Sequence, residues 1–441
     1  MPISRLLLAL PGAVLLVCSS AAEPASANPE PFPTPASKKG LQVEMLDDAL
    51  ALGIKHAALN CNLGQLIEPA PGPGSVRWQS SEGREFTFNA GYLEALDRKI
   101  KPLSEARVVV YLILLNYVPQ DPAKRTILVH PGYNEGCPNH VAAFNTATAE
   151  GIAWLRGTAE FLAARYSRPD AAHGRVWGWI VGNEVQSHWY WYNLGRANVE
   201  EVADAYEKAV RIVHDAVRTA SQHGRVYLSL DHHWTWRFDP NAPGMTTGGK
   251  MLLDEFARIA RERGDFDWHL AQHPYSEDLR DPRFWNDLSA TDDFDSPRLT
   301  YQNLEVLTRY LARPGLLHRG EPRRVILSEQ GFNFRADWPT GELVQAAAWC
   351  AAWRKVVRLD GIDAFILHRH VDHAQEGGLL LGLWTFKPGT ISTPDRQRRM
   401  YEPFRLADTP EWERAFAFAL PIIGWKSWDE GLRQSSAAGT P

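Results

Sequence analysis

Short apolar runs alternate along this chain with longer stretches that have one apolar and one polar face when drawn as helices. The short runs predict β-strands and the longer stretches predict amphipathic helices. Seven helix–strand units are visible. The predicted helices cover residues 45–52, 92–103, 147–166, 199–222, 251–263, 301–311 and 343–359, and the strands that follow them cover 56–60, 107–116, 176–184, 225–231, 266–273, 324–329 and 364–368.

The arrangement of these units predicts an α/β fold, the (β/α)8 TIM barrel. Continuous apolar strands that alternate with helices are typical of a parallel sheet covered on both faces. Every predicted strand ends in polar or aromatic residues, as expected where the carboxyl ends of barrel strands build an active site. Either the first strand lies around residues 40–43 or the barrel is incomplete. A doubly wound open sheet is the alternative, but the sequence lacks the Gly-rich first turn of that fold.

Two of the strands end on a glutamate, at Glu184 and Glu329. A buried strand gains no stability from a carboxylate at its end unless the carboxylate is paired or used. If the barrel brings the two carboxyls to about 5–5.5 Å, they suit a retaining glycosidase, in which one attacks the anomeric carbon and the other protonates the departing oxygen. The alternative is that both form structural ion pairs, for instance with Arg369 or Arg335.

The sequences around both glutamates resemble strands of glycoside hydrolase clan A. Residues 178–184, Gly-Trp-Ile-Val-Gly-Asn-Glu, are similar to its fourth strand, and residues 326–332, Ile-Leu-Ser-Glu-Gln-Gly-Phe, are similar to its seventh. The match covers about residues 45–375 and, within the clan, resembles a bacterial family of unknown function. The resemblance implies that Glu184 is the general acid/base and that Glu329 is the nucleophile.

The resemblance also implies roles for two further residues. Asn183 would hydrogen-bond the 2-hydroxyl of the sugar, a contact that strengthens in the transition state. Adjacent strand residues point to opposite faces, so Asn183 and Glu184 act together only if the strand kinks at its end. Tyr275 matches a sixth-strand tyrosine that orients the nucleophile through a hydrogen bond.

The eighth strand departs from the clan pattern. Clan members usually end this strand with a tryptophan beneath the sugar, whereas this chain has His368-Arg369-His370. We expect Trp384, in the following loop, to take the place of the missing indole. His368 and His370 are also predicted to contact the substrate.

Further residues at predicted strand ends are candidates for substrate contacts, namely Asn116, His233, Trp234 and His273. Long insertions over residues 64–90, 117–146 and 277–300 follow strands and therefore build the walls of a cleft. Their length favours several subsites over a single pocket.

The histidines of the predicted rim motivate a metal-site hypothesis. His368 and His370 would share a strand face and, with His232, His233 or His273, would offer imidazole ligands to a divalent metal. Against this hypothesis, metal-dependent barrel hydrolases usually carry His-x-His on the first strand, and no His-Glu-x-x-His element is evident. We therefore predict no metal and no other cofactor.

Three cysteines, Cys61, Cys137 and Cys350, follow the amino-terminal segment. Three cysteines in a chain of this size do not form a disulfide framework. They are expected either as one bridge and one thiol or as three buried thiols. A structural zinc on His130, Cys137 and His140, all in the insertion after the third strand, has no further support in the sequence.

Composition narrows the function further. The 441 residues carry a formal net charge of −5 with both signs interleaved, which indicates neither nucleic-acid binding nor electrostatic membrane binding. The chain contains 17 Trp, 13 Tyr and 17 Phe. Several tryptophans concentrate in predicted loops at residues 189–192 and 234–236, where an aromatic face in a wet cleft suits sugar rings.

The amino terminus predicts export. Residues 1–22 form a short, interrupted apolar stretch that ends in small residues, which is typical of a signal peptide and too short for a membrane span. We expect cleavage after Ala22. Cys18 raises the alternative of a lipoprotein, although Val17 is bulkier than the residue that lipid attachment prefers.

After the signal peptide, residues 23–40 are Pro-rich and are expected to form an extended, poorly ordered lead-in, and residues 41–435 are expected to form a single catalytic barrel. The sequence thus predicts an exported (periplasmic or extracellular) hydrolase that cleaves a β-linked oligo- or polysaccharide with retention. Two alternatives stay open, a metal-dependent hydrolase on the same barrel and a carbohydrate-binding barrel without activity. The sequence predicts neither the sugar nor the oligomeric state.

Overall fold

The centre of the computed structural model, which describes residues 27–431, is a closed barrel of eight parallel strands. The strands of the chain are β1 (Lys39–Gln42), β2 (His56–Asn62), β3 (Val76–Gln79), β4 (Glu85–Phe88), β5 (Val109–Leu115), β6 (Gly178–Val181), β7 (Arg225–Leu230), β8 (Trp268–Gln272), β9 (Val325–Leu327), β10 (Ile362–Leu367), β11 (Trp384–Phe386) and β12 (Pro394–Gln397). The order around the barrel is β1, β10, β9, β8, β7, β6, β5, β2, whereas β3–β4 and β11–β12 form separate antiparallel pairs. The predicted fold class is confirmed, and the doubly wound alternative is wrong.

The first barrel strand, which the sequence left uncertain, is β1. It lies in parallel between β2 and β10, with Gly40 opposite His56 on one side and Ile366 on the other. Pairing on both sides leaves the sheet without an open edge. The strand expected around residues 40–43 therefore completes the barrel.

Helices form the layer around the barrel. All seven predicted helices are present, and the largest difference is that the helix predicted over residues 301–311 begins at Glu305. Short 3-10 turns lie at Val185–Ser187, Phe284–Asn286 and Pro314–Leu316. The α-helices are α1 (Leu46–Ala51), α2 (Leu63–Leu66), α3 (Ala90–Glu105), α4 (Pro122–Leu128), α5 (Ala149–Tyr166), α6 (His188–Trp191), α7 (Val199–Ala220), α8 (Gly249–Glu262), α9 (Glu305–Leu311), α10 (Gly341–Val356), α11 (Tyr401–Leu406), α12 (Trp412–Phe416) and α13 (Ala419–Ile423).

Strand residues alternate between two apolar cores. Inward side chains, among them Tyr111, Ile180, Tyr227 and Ile326, fill the barrel. Their outward neighbours belong to the larger cluster that joins the strands to the helices. The barrel interior is therefore a packed core and not a channel, and the polar residues at the strand ends are left to face the rim.

The described part of the lead-in is bound to the barrel, so the expectation of a poorly ordered segment is wrong for residues 27–38. Asn28 exchanges backbone hydrogen bonds with Ala220 and Gln222. Phe32 packs edge-on against Trp177, and the Arg225 guanidinium lies 3.9 Å from the centre of its ring. These contacts cover the amino-terminal mouth of the barrel, and β1 begins at Lys39, inside the range predicted as lead-in.

The variant Phe32→Ala tests whether this contact contributes to stability. We expect it to lower the free energy of unfolding by roughly 1–3 kcal/mol, because an aromatic pair and a cation–π contact are lost from a half-buried site. Urea unfolding followed by tryptophan fluorescence measures the change. Leu288→Ala, at a side chain that is 88% exposed, is the control and should change stability by less than about 0.5 kcal/mol. Equal changes in both variants would show that Phe32 does not anchor the lead-in.

The cysteines form no bridge. Cys61, Cys137 and Cys350 are buried free thiols, which selects the second of the two alternatives. Burial raises the pKa of Cys61 to about 12, so this thiol stays protonated. The predicted signal peptide over residues 1–22, with Cys18, lies outside the described residues. Among the helices of the described chain, none is both long enough and apolar enough to cross a bilayer.

Candidate active site

The chain bends where β6 leads to Glu184. Gly182 and Glu184 both have left-handed backbone, with φ of 75° and 41°, so the alternation of side chains along the strand is broken here. A Cβ at Gly182 would approach the ring of Tyr192 to 2.9 Å, which is why this position requires glycine. The backbone N–H of Glu184 donates to Ser229 Oγ at 3.0 Å. The bend that Asn183 and Glu184 need in order to act together is therefore present.

Glu329 follows β9, across the barrel mouth from Glu184. A Cβ at Gly331 would meet the carbonyl oxygen of His368 at 2.2 Å, so glycine lets this turn lie against the end of β10. One carboxylate oxygen of each glutamate and one ring nitrogen of His273 all lie within 4.8 Å of one another. Such a close approach favours a pair of carboxyls that act on the same atom.

The arginines that were considered as partners of the two glutamates bind other carboxylates. Arg369 donates to Glu44 at 3.0 Å and to Glu376 at 2.6 Å. Arg335 donates to Asp337 at 2.6 Å. The alternative of structural ion pairs with these arginines is therefore wrong, and both catalytic candidates are half-buried with a face toward the rim.

His273 lies between the two strand ends rather than in the open cleft. It is 2% exposed, its Nδ1 lies 3.0 Å from Glu184 Oε1, and its Nε2 lies 3.0 Å from Ser328 Oγ. With Nδ1–H donating to Glu184, Nε2 accepts the Ser328 hydroxyl proton. Burial lowers the pKa of His273, but the hydrogen bond to Glu184 and the charge of Glu329 outweigh it and raise the pKa overall. The predicted substrate contact is wrong because both ring nitrogens are occupied, and His273 instead orients Glu184.

The tyrosine expected to orient Glu329 is in place. Tyr275 Oη donates to Glu329 Oε1 at 3.2 Å, as the resemblance implied. Burial and the negative charge of Glu329 raise the pKa of Tyr275 well above its usual value. The hydroxyl therefore stays protonated and serves as a permanent donor to this carboxylate.

The two glutamates differ in their surroundings. Burial raises the pKa of Glu184 to about 7, the charges of Asp231 and Glu329 act in the same direction, and the hydrogen bond from His273 acts against them. Glu184 thus retains its proton close to neutral pH. In the tautomer in which Nδ1–H donates to Oε1, the proton of Glu184 is carried by Oε2. In enzymes that use two carboxyl groups, the general acid is commonly the one that its surroundings keep neutral, and the other is a hydrogen-bonded carboxylate.

Asp231, at the end of β7, supplies a fixed negative charge behind Glu184. Its carboxylate accepts hydrogen bonds from Ser187 Oγ at 2.7 Å, from the His233 backbone N–H at 2.6 Å and from His233 Nδ1 at 2.8 Å. Burial opposes ionisation of Asp231, but His233 and Ser187 outweigh it and hold its pKa well below the usual range. The sequence placed Asp231 on the rim but gave no indication of this role.

Two of the predicted substrate contacts are wrong because the side chains support the inserted loops. Asn116 is buried, and its Nδ2 donates to the carbonyl oxygens of Leu128 and Ala143 at 2.7 and 3.0 Å. Trp234 is 1% exposed, packs against Tyr310, and donates through Nε1 to a carbonyl oxygen of the insertion after β8. A long insertion carries backbone groups that must be satisfied, and these side chains satisfy them.

His233 and Asn183 keep their predicted roles as hypotheses. His233 is 6% exposed and holds Asp231 through Nδ1, while its ring packs against Phe238. Asn183 is half-buried, directly before Glu184. A sugar contact for either residue stays a prediction.

A charged pair occupies the end of the eighth barrel strand, β10. His368 Nδ1 lies 2.7 Å from Gln42 Oε1, and its Nε2 lies 3.1 Å from Glu376 Oε1. Burial raises the pKa of Glu376, but His368 and Arg369 outweigh it and lower this pKa to about 2. Burial lowers the pKa of His368, but the charges of Glu329 and Glu376 outweigh it and raise this pKa. An ionised Glu376 is thus paired with His368 and Arg369 at the end of this strand. Glu376 lies in a loop after β10, and no pattern in the sequence marks it.

The other two candidates near β10 are held by α1. His370 is fully buried, with Nε2 at 2.8 Å from Asp48 Oδ2. The indole of Trp384 donates to the same oxygen at 3.0 Å and packs against Tyr401. The predicted substrate contact of His370 is wrong because the ring is fully buried against Asp48, whereas the contact predicted for the half-buried Trp384 stays a prediction.

Metal-ligand side chains cluster twice in the described chain, at Asp231, His232 and His233 and at Glu184, His273 and Glu329. His368 and His370 belong to neither cluster, so the hypothesis of a metal on this pair is wrong. In the first cluster, Asp231 and His233 satisfy one another, and burial lowers the pKa of His232 to about 3.

The insertion after β5 likewise shows no set of three ligands among its described residues. Cys137 Sγ contacts the carbonyl oxygens of Val141 and Tyr190 at 3.7 and 3.6 Å, and His130 Nδ1 accepts the backbone N–H of Gly132 at 3.1 Å. The proposed zinc ligands His130, Cys137 and His140 are not brought together.

Three aromatic side chains in the loops that follow β5 and β7 are exposed. Tyr117, Trp236 and Phe238 are 39%, 53% and 47% exposed. Burial and the charges of Glu329 and Glu376 raise the pKa of Tyr117. An aromatic cleft wall stays a prediction for these side chains, whereas Trp234 is part of the core.

Comparisons with known proteins give a family and a fold. The sequence profile of DUF5722, described as a family of unknown function, matches residues 31–431. A comparison with curated protein sequences finds no significant match.

Solved structures of similar fold are remote in sequence. Fpglu1 from Fervidobacterium pennivoraus is 12% identical with a TM-score of 0.52, and 87% of this chain and 84% of that chain are covered. A family 39 glycoside hydrolase from Bacteroides cellulosilyticus WH2 is 13% identical with a TM-score of 0.51, and 85% and 63% are covered. A family 1 β-glucosidase from Thermotoga maritima is 12% identical with a TM-score of 0.50, and 86% of each chain is covered. The expected resemblance to the barrels of clan A is confirmed at the level of the fold.

Proposed function

The chain belongs to the family of unknown function DUF5722, and we propose that it is a retaining glycoside hydrolase that cleaves a β-linked glycan. The observation that carries the proposal is the close pair of Glu184 and Glu329, one kept protonated by burial and the other hydrogen-bonded by Tyr275. These are the two groups that a double displacement at an anomeric carbon needs.

In the first step, an oxygen of Glu329 forms a bond to the anomeric carbon while the bond to the glycosidic oxygen breaks. The proton on Glu184 Oε2 passes to that oxygen, so the leaving group departs as a neutral alcohol. His273 fixes the carboxyl by its 3.0 Å contact with Oε1, which keeps Oε2 directed at the cleft. The product of this step is a glycosyl ester on Glu329.

In the second step, Glu184 is a carboxylate and takes a proton from the water that attacks the anomeric carbon and releases Glu329. Two inversions give net retention. The negative charge of Glu329 is one of the causes that raise the pKa of Glu184, and this charge disappears when the ester forms. Glu184 therefore ionises more readily in the intermediate, when it must act as a base.

The substrate class is a proposal from similarity and site shape. Clan A resemblance and a structural neighbour named a β-glucosidase support a β linkage. Exposed rings at Tyr117, Trp236 and Phe238 offer faces for sugar rings along a cleft. For Asn183, directly before the acid, the proposed role is a hydrogen bond to the 2-hydroxyl of the reacting sugar.

Tyr275→Phe tests the orientation of the nucleophile. We expect kcat to fall about 10–100-fold with little change in KM, because a hydrogen bond to a charged group is lost and Glu329 is free to rotate. Steady-state kinetics on the cleaved glycan measure this effect. Tyr301→Phe, which removes a buried hydroxyl without a hydrogen-bond partner in the described chain, is the matched control and should retain its kcat within about twofold. An unchanged kcat in Tyr275→Phe contradicts the orienting role.

The function itself is tested by reducing-sugar release from a panel of plant, fungal and bacterial β-glycans. Release by the parent protein, resistant to a chelator, supports the proposal and identifies the glycan. Release that the chelator abolishes and a divalent metal restores favours instead a metal-dependent hydrolase, for which Glu184, His273 and Glu329 are the ligand types at hand. Binding of a glycan without release favours a carbohydrate-binding barrel.

We also propose that the protein is exported, on the strength of the signal-like composition of residues 1–22. Expression of the full chain with a carboxyl-terminal tag in a Gram-negative host, followed by fractionation and amino-terminal sequencing, tests this proposal. A mature chain that begins at Glu23 in the periplasm or medium is expected. Uncleaved protein in the cytoplasm contradicts export, and a lipid on Cys18 supports the lipoprotein alternative.

A further inference from the structure

Polar residues at the ends of β1 and β2 line a cavity that the proposed catalytic steps do not use. The cavity measures about 290 Å³ and lies against α3. Its hydrogen-bonding side chains belong to Gln42, Glu44, Asn60, Lys99, His368 and Arg369.

His368 forms the boundary between this cavity and the catalytic carboxyls. Its Nδ1 contacts Gln42 on the cavity side at 2.7 Å, and its Nε2 contacts Glu376 at 3.1 Å. The nearby charge of Glu329 acts on the same imidazole. The backbone N–H of His368 donates to the carbonyl oxygen of Gln330 at 2.8 Å, so the cavity adjoins the strand end that carries Glu329.

Two polar side chains of the lining have capacity for further hydrogen bonds. Asn60 is exposed at the end of β2, and its side chain makes no hydrogen bond within residues 27–431. The Lys99 ammonium has one long contact, 3.4 Å to the Val43 carbonyl oxygen. Apolar surface from Tyr92 and Leu96 lies beside these polar groups. Polar groups around an apolar patch suit a sugar ring, and about 290 Å³ holds roughly ten waters, enough for one such ring.

We propose that this cavity binds the sugar unit next to the one that becomes attached to Glu329, on the non-reducing side of the cleaved bond. The inference rests on the proposed glycosidase function. The leaving group departs from the side of Glu184, on β6, whereas the cavity adjoins β10, β1 and β2 on the other flank of Glu329. The enzyme therefore acts on chains with at least two sugar units before the cleaved bond and not on terminal single units.

The test measures oligosaccharide binding to the Glu329→Gln protein by isothermal titration calorimetry. The probes are the monosaccharide to the pentasaccharide of the glycan that the parent protein cleaves. Lys99→Met and Asn60→Ala are added singly, and Lys101→Met, an exposed lysine on the same helix, is the matched control. Thermal unfolding of each variant checks the fold, and Lys99→Met keeps the aliphatic stem so that packing is conserved.

We expect the affinity for the pentasaccharide to fall at least tenfold in Lys99→Met and in Asn60→Ala and to stay unchanged in Lys101→Met. The affinity of the Glu329→Gln protein without a second substitution should rise at least tenfold from the monosaccharide to the longer chains. If folded cavity variants bind the pentasaccharide like the control while the parent enzyme cleaves the glycan, the cavity is not a subsite and the catalytic proposal stands. If the parent protein neither cleaves nor binds any glycan, both proposals fail together.

Discussion

Glu329→Gln is expected to lower kcat by at least about 10⁴-fold, because an amide cannot form the glycosyl ester through which the reaction passes. The substitution conserves shape, and Tyr275 Oη can still donate to the amide oxygen that replaces Oε1. The midpoint of thermal unfolding should therefore stay close to that of the parent. Initial rates on the glycan that the parent cleaves most readily, measured beside the unfolding midpoint, give both quantities.

The control for this variant is Glu321→Gln, an exposed glutamate before β9 at the opposite end of the barrel. It should keep the parent rate. A rate for Glu329→Gln within tenfold of the parent, in folded protein, contradicts the nucleophile assignment. Such a result would favour the metal-dependent alternative and make metal analysis of the purified protein the next step.

Glu184→Ala is expected to lower kcat on an unactivated glycan by about 10²–10⁴-fold, because the leaving oxygen loses its proton donor. An aryl glycoside with an acidic leaving group needs no such proton, so its first step should be far less affected. Azide should then restore turnover and give a glycosyl azide of retained configuration, since the small anion replaces the water that Glu184 no longer activates. Glu94→Ala, at an exposed position of α3, is the control. Absence of any azide effect would contradict the acid/base role.

The pH profile gives an independent view of Glu184. The protonated form is the active one in the first step, and burial raises its pKa to about 7. The kcat/KM of the parent should therefore fall as the pH rises through about 7, with the full rate on the acidic side of that value. Glu184→Ala should lose this descending limb on the aryl glycoside. A parent profile that stays flat above pH 7 contradicts the raised pKa.

The sequence identified the fold and both catalytic candidates because each has a local pattern. A buried strand is a run of apolar residues, and the glutamates interrupt two such runs where the strands end. The β1 strand is harder to recognise because it has only four residues and begins inside the stretch predicted as the Pro-rich lead-in. Its pairing with β2 and β10 is a property of the closed barrel and not of its own residues.

The errors at the rim share one physical cause. The position of a residue at a strand end does not tell whether its side chain faces the cleft or the inserted loops. Asn116 turns to the backbone of an insertion, and His370 turns to Asp48. These partners lie far away in the sequence or on loops without a pattern. For the same reason Glu376, which pairs with His368 beside Glu329, was not predicted.

His273 shows the converse case, in which the residue was recognised and its role was not. Its place at the end of β8 suggested a substrate contact, but the left-handed turn at Glu184 brings Oε1 to within 3.0 Å of Nδ1. This contact depends on the backbone conformation of two different strand ends. The spacing of residues along one chain segment cannot reveal it.

The anomeric configuration of the first product is the most direct test of the proposed mechanism. A carboxyl oxygen of Glu184 within 4.8 Å of one of Glu329 favours direct attack by the nucleophile over attack by an activated water, so the proposed reaction passes through an ester on Glu329. Proton NMR of the cleaved glycan, recorded before mutarotation, should show the β-anomer of the new reducing end. First appearance of the α-anomer would contradict the double displacement and the roles assigned to both glutamates.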